Sequence, residues 1–170
     1  NDENVLQSNK LDYGKTPSYT GETPEKPATA QYTYTFNGWD SEITAVTSNK
    51  DYKAQFIGTT NKYTIRFMNG NEVLQTEVLE YGETPAYKGA TPTKEADVQY
   101  TYTFAGWDKN PEAVTGTCDY NALFTPTLRT YTITFKNYDG SVLGSPVIVN
   151  YNVLPTYTGD IPQKPADAQY

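Results

Sequence analysis

The most constraining feature of this 170-residue chain is that it repeats itself. Gln31-Tyr-Thr-Tyr-Thr-Phe-Asn-Gly-Trp-Asp40 returns as Gln99-Tyr-Thr-Tyr-Thr-Phe-Ala-Gly-Trp-Asp108, a shift of 68 positions. The same shift carries Pro17 to Pro85, Tyr19 to Tyr87, Pro24 to Pro92, Tyr52 to Tyr120 and Phe56 to Phe124. A third copy opens at Tyr131-Thr-Ile-Thr-Phe135, matching Tyr63-Thr-Ile-Arg-Phe67, and from Tyr151 onward the shift becomes 70. The two added residues, Tyr138 and Asp139, fall where Asn69-Gly70 reads as a turn, a place that tolerates insertion. A chain built this way must fold as several small, similar units.

Within one copy the residues alternate. Tyr63, Ile65 and Phe67 interleave with Thr64 and Arg66; Tyr100, Tyr102 and Phe104 interleave with Thr101 and Thr103. Tyr120, Ala122 and Phe124 do the same near the copy's end. A period of two in aromatic and β-branched residues predicts half-buried strands. Asn69-Gly70 predicts a hairpin between the first strand and the run 73–81. Pro85, Gly89 and Pro92 exclude a long helix from the crossover that follows and leave room for a short helical turn at 93–98.

The copies span residues 1–57, 61–127 and 130–170. The first lacks its opening strand, the middle one is complete, and the third lacks its last strands. We expect an excised piece of a longer chain, with strand exchange as the alternative: 131–135, from this chain or from another, could supply the first copy's strand. A structural phase starting near Asn1 also stays open. The five-residue junctions 58–62 and 126–130 leave little slack, so an elongated, beads-on-a-string arrangement is expected.

Composition decides between order and disorder. Leu, Ile, Val and Phe make up only about 18% of the chain and the net charge is −7, a disorder-like balance. Sixteen Tyr and two Trp offset it, because one aromatic ring buries about 150–250 Å². With no His and one Cys, the chain holds no histidine-based catalytic triad, no imidazole metal site and no internal disulfide. The acidic balance, with a pI near 4.5, argues against nucleic acid. No apolar run approaches the roughly 18 residues of a membrane helix.

The residues Tyr131-Thr-Ile-Thr-Phe-Lys-Asn-Tyr-Asp-Gly-Ser-Val-Leu, with Tyr81-Gly82, Pro85 and Tyr102-Thr-Phe-Ala-Gly-Trp-Asp, resemble the Listeria–Bacteroides repeat. This is the internalin B-type B-repeat, kin to mucin-binding repeats. The resemblance implies a small β-grasp-like (ubiquitin-like) sheet with its helix reduced or absent. It also implies tandem use in bacterial cell-wall or surface-layer proteins, as stalks or adhesive modules, and it supplies no catalytic residues. The crossovers 17–31 and 85–99 are longer than in the compact version, so loop-based binding does not carry over.

Four residues are candidate ligand contacts. Trp39 and Trp107, each after a Gly, read first as strand-end core anchors and second as stacking platforms for a sugar face. Tyr87 and Tyr157, with Tyr13, Tyr19, Tyr81 and Tyr151, read as rings packed on their own sheet or as a surface for host glycans or proteins. Asp40 and Asp108 read as caps or Asx turns rather than a paired-carboxylate site. No cofactor or specific metal site is expected; weak calcium binding at Asp139 or at Asp2-Glu3-Asn4 would be a surface effect. Cys118, where the first copy has Lys50, reads as incidental. A Lys–Asn amide staple among Lys62, Lys136, Asn121 and Asn137 has no spacing that favours it. We therefore expect a non-catalytic extracellular spacer, with an adhesive module as the alternative.

Overall fold

A computed structural model describes residues 4–164, so Asp2 and Glu3 of the acidic cluster and the alignment of Gln99 with Gln169 lie outside the described residues. The described chain is all β, with no helix among the described residues. Eight strands appear: β1 (Tyr32–Trp39), β2 (Ala54–Thr60), β3 (Lys62–Asn69), β4 (Glu72–Glu80), β5 (Tyr100–Trp107), β6 (Cys118–Leu128), β7 (Thr130–Ile133) and β8 (Val147–Asn150). The short helical turn expected at 93–98 is absent: residues 93–97 belong to no regular element and Val98 sits in a bend.

The chain divides into two compact units, Asn1–Lys88 with Asn110–Tyr120, and Gly89–Lys109 with Asn121–Tyr170. In the first unit β1 pairs with β2, and β3 lies between β4 and the opening residues of β6. The predicted hairpin is present, with Asn69 opposite Glu72, so that Gly70 and Asn71 form the connection and Gly70 takes φ of 60°. This unit holds the most buried side chains, Ile65 and Phe67 at 1% and 0% exposed, which are alternate residues of β3. Phe67 stacks on Tyr120 with centroids 5.1 Å apart, and Arg66, on the opposite face of the pleat, makes a two-pronged ion pair with Asp119 at 2.8 and 2.6 Å.

In the second unit the rest of β6 pairs antiparallel with β5, and β7 pairs with β8. β6 begins at Cys118, one residue earlier than the alternation suggested. β7 stops at Ile133, two residues short of the expected 131–135 strand. Across from it, Gly144 takes φ of 71° and Pro146 has no N–H, so a continuous ladder cannot form before Val147. A single bridge, Lys136 to Val142, continues the pairing beyond this gap. The inserted residues make a turn of their own, in which the Asp139 carboxylate accepts from the Ser141 N–H and hydroxyl.

Candidate functional site

The Tyr-Thr-Phe-x-Gly-Trp motif is built twice with the same geometry. In β1, Tyr32, Tyr34 and Phe36 point to one face, and strict alternation would send Trp39 to the other. A bulge between Phe36 and Trp39 reverses the parity, with Gly38 at φ of 87° supplying a conformation that side chains resist. The Phe36 and Trp39 rings then meet edge to face at 5.5 Å, and Phe36 meets its cross-strand partner Phe56 at 6.0 Å. In β5 the bulge falls between Phe104 and Gly106, Gly106 sits at φ of 108°, and the pairs Phe104–Trp107 and Phe104–Phe124 are 5.4 and 6.1 Å apart.

Both tryptophans are half-buried. Trp39 also receives Tyr19 edge-on at 5.1 Å, so its ring is part of a cluster of Tyr19, Phe36 and Phe56. Tyr87 packs on Phe67 at 5.4 Å and Tyr157 on Phe135 at 5.2 Å. Trp39 and Tyr87 thus stand on different partners in the first unit, as Trp107 and Tyr157 do in the second.

The crossover tyrosines share a device the sequence reading missed. Tyr19 and Tyr157 each donate their hydroxyl to a carbonyl three residues on, Glu22 at 2.8 Å and Asp160 at 3.0 Å. The ring thereby lies across the glycine at position i+2. A Cβ on Gly21 would come within 2.7 Å of the Tyr19 ring, and one on Gly159 would meet the Tyr157 ring equally closely. The signal was available: Tyr-x-Gly recurs at 19–21, 87–89 and 157–159.

The carboxylates serve the loops. Asp40 and Asp108 do not form local Asx turns; each accepts from a backbone N–H 13 residues on, Lys53 and Asn121, both at 2.9 Å. Asp108 also accepts from the Asn121 side chain, and these bonds hold its pKa below the usual aspartate value. Asp97 accepts from the N–H groups of Tyr100 and Gln99 and from the Tyr102 hydroxyl, which lowers its pKa and raises that of the Tyr102 phenol. Asp139 is held low by Ser141 in the same way. Among the described residues no three His, Cys, Asp or Glu side chains gather where they could hold a metal ion. Lys62 pairs with Glu80 at 3.3 Å, while Asn121 donates to Asp108 and Asn137 accepts from Tyr138, so these contacts join none of the four to another as a Lys–Asn staple would. Cys118 is half-buried, with its sulfur 3.8 Å from the Asp119 carbonyl.

The junctions repeat most closely of all. At the first, Asn61 donates its N–H to the Gln31 carbonyl and its carbonyl accepts from Tyr81, at 2.8 and 2.9 Å. At the second, Arg129 makes the same two bonds with Gln99 and Tyr151, again at 2.8 and 2.9 Å. The side chains reinforce them: Asn61 donates to the Thr29 carbonyl at 2.8 Å, and Arg129 to the equivalent Asp97 carbonyl at 2.7 Å. Tyr63 and Tyr131 then donate to the carbonyls of Ala30 and Val98. One residue ties the end of one crossover to the hairpin of the next copy.

No family model and no curated protein matches the chain. One solved structure is similar, described as Streptococcal High Identity Repeats in Tandem (SHIRT) domains 3-4 from a cell surface protein. The identity is 17%, the TM-score is 0.33, and the match covers 71% of this chain and 83% of that one.

Proposed function

We propose that this chain is a stretch of tandem, non-catalytic β repeats, secreted or wall-attached on a bacterial surface, whose role is to hold other domains away from the envelope. The observation that carries the reading is the junction: Asn61 and Arg129 use the same backbone and side-chain bonds in both places. A linker meant only to tether needs no such bonds. A spacer does, because each junction must resist bending for length to accumulate, and neighbouring repeats then share stability. On this reading the repeating units are the copies 1–57, 61–127 and 130–170, strung as an elongated array. Their β-grasp character is supported by β3 lying between its hairpin partner and the last strand of the same copy. The Listeria–Bacteroides kinship belongs to the same proposal.

The adhesive alternative would use the faces of Trp39, Trp107, Tyr87 and Tyr157. Their rings are engaged with Tyr19, Phe36, Phe104, Phe67 and Phe135, which favours anchoring over stacking on a sugar. The test is small-angle scattering of the chain beside the double variant Tyr63→Phe and Tyr131→Phe. The native chain is expected to give a rod-like profile, and the variant a shorter, more flexible one at unchanged circular dichroism. A flexible profile for the native chain would overturn the spacer reading.

A further inference from the structure

The complete middle copy is entered and left through junctions that hydrogen bonds tie down, at Asn61 and at Arg129. From Asn61 the chain runs directly into β3, and β6 ends one residue before Arg129. These first and last strands of the copy are hydrogen-bonded neighbours. The part of β6 that meets β3 lies in the same compact unit as β3. Tension on the copy therefore enters at Lys62, leaves at Leu128 and falls on the β3–β6 contact.

The side chains give the direction of this pairing. Arg66 meets Asp119 on one face, Phe67 stacks on Tyr120 on the other, and both pairs are 53 positions apart. A constant separation means that the numbering rises together on both strands, so β3 and β6 run parallel. In the antiparallel pair β3–β4 the separation shrinks instead, from Lys62 opposite Glu80 to Asn69 opposite Glu72. Parallel strands pulled from Lys62 and Leu128 must slide past each other, and every bond between them bears load at once. Strands pulled from one shared end open bond by bond. The contact also resists sliding: Phe67 and Tyr120 are 0% and 4% exposed, and Phe67 touches Tyr87 as well, at 5.4 Å. Beside them the two prongs of Arg66 on Asp119, at 2.8 and 2.6 Å, fix the register.

We propose that β3 and the opening of β6 form a shear clamp that keeps the copy folded under tension between its junctions. The clamp rests on the spacer reading for its purpose, because a stalk passes on the pull of whatever its outer domains grip. Survival under a pull is governed by the rate of unfolding rather than by equilibrium stability. The bonds that matter are those the slide must break, namely the β3–β6 ladder, the Phe67–Tyr120 stack and the Arg66–Asp119 pair. Lys88 pairs with Glu77 at 2.6 Å, but this bond joins the crossover to β4 and stands beside the path of the load.

The test is single-molecule force spectroscopy of the intact 170-residue chain, held at its C terminus and at one introduced thiol. Two loadings are compared in a Cys118→Ser background, through Lys62→Cys and through the exposed hairpin residue Asn71→Cys. Lys62 loads β3 and β6 in shear, and Asn71 peels the same strands from one end. Loading at Lys62 is expected to give a length gain on the order of 200 Å, the release of one copy. Its rupture force should clearly exceed that of loading at Asn71. Asp119→Asn should raise the unfolding rate at fixed load through Lys62 about three- to fivefold. Lys88→Gln should leave that rate unchanged. Equal rupture forces in the two loadings would overturn the clamp, and so would equal effects of Asp119→Asn and Lys88→Gln. A chain that scatters as a rod yet ruptures alike in both loadings would lose the clamp and keep the spacer. A flexible chain that still resists shear would do the reverse.

Discussion

The two hairpins β3–β4 and β7–β8 descend from one pattern and differ in how far it is carried through. The first runs for eight and nine residues and buries Ile65 and Phe67 almost completely. The second runs for four and four, and its counterparts Ile133 and Phe135 are only half-buried. Three changes account for the difference. Gly144 stands where the first hairpin has Leu74, Pro146 stands for Thr76, and Tyr138–Asp139 enlarge the turn. In addition, Phe67 is held by both Tyr87 and Tyr120, whereas the ring found against Phe135 is Tyr157. Ladder length follows from backbone chemistry, and burial follows from what packs on the far side of the ring.

Cutting the anchors should separate the hairpins most sharply. Phe67→Ala is expected to cost about 3–5 kcal/mol, as for a fully buried aromatic, and Phe135→Ala about half of that, measured by chemical denaturation. Equal losses would break the comparison. Next, Gly21→Ala should cost about 1–2 kcal/mol because the Tyr19 ring must move, and Gly159→Ala a similar amount against Tyr157. Conversely, Pro146→Thr should restore a donor to β8, lengthen its amide-exchange protection toward residue 146 and add about 0.5–1 kcal/mol.

The smallest expected effect is in acid. The folded pKa of Asp139 is depressed by its Ser141 hydrogen bonds, so its contribution is present above the ordinary value of 3.8 and is lost as pH falls below it. The turn of the first hairpin, Gly70–Asn71, carries no carboxylate. The β7–β8 amides should therefore lose protection before those of the β3–β4 turn, and Asp139→Asn should remove the acid step. A step that survives this substitution would place its origin elsewhere.

Much of the fold was legible in the residues. Tyr-Thr-Tyr-Thr-Phe places β1 and β5, and Asn69-Gly70 places the first hairpin to within a residue. Trp39 and Trp107 were legible as anchors only in outline, because their face depends on a bulge at Gly38 and Gly106 that strict alternation does not reveal. The reach of Asp40 to Lys53 and of Asp108 to Asn121 was not legible, since a 13-residue closure depends on how the intervening loop packs.

By itself the sequence determined the repeat, the strand alternation and the absence of histidine chemistry. These are properties of residue type and spacing, and no partner is needed to state them. Only the tertiary structure decided which of two equivalent strands is buried and which tyrosines lie across glycines. Alternation tells which residues share a face; what covers that face is decided by segments far away along the chain.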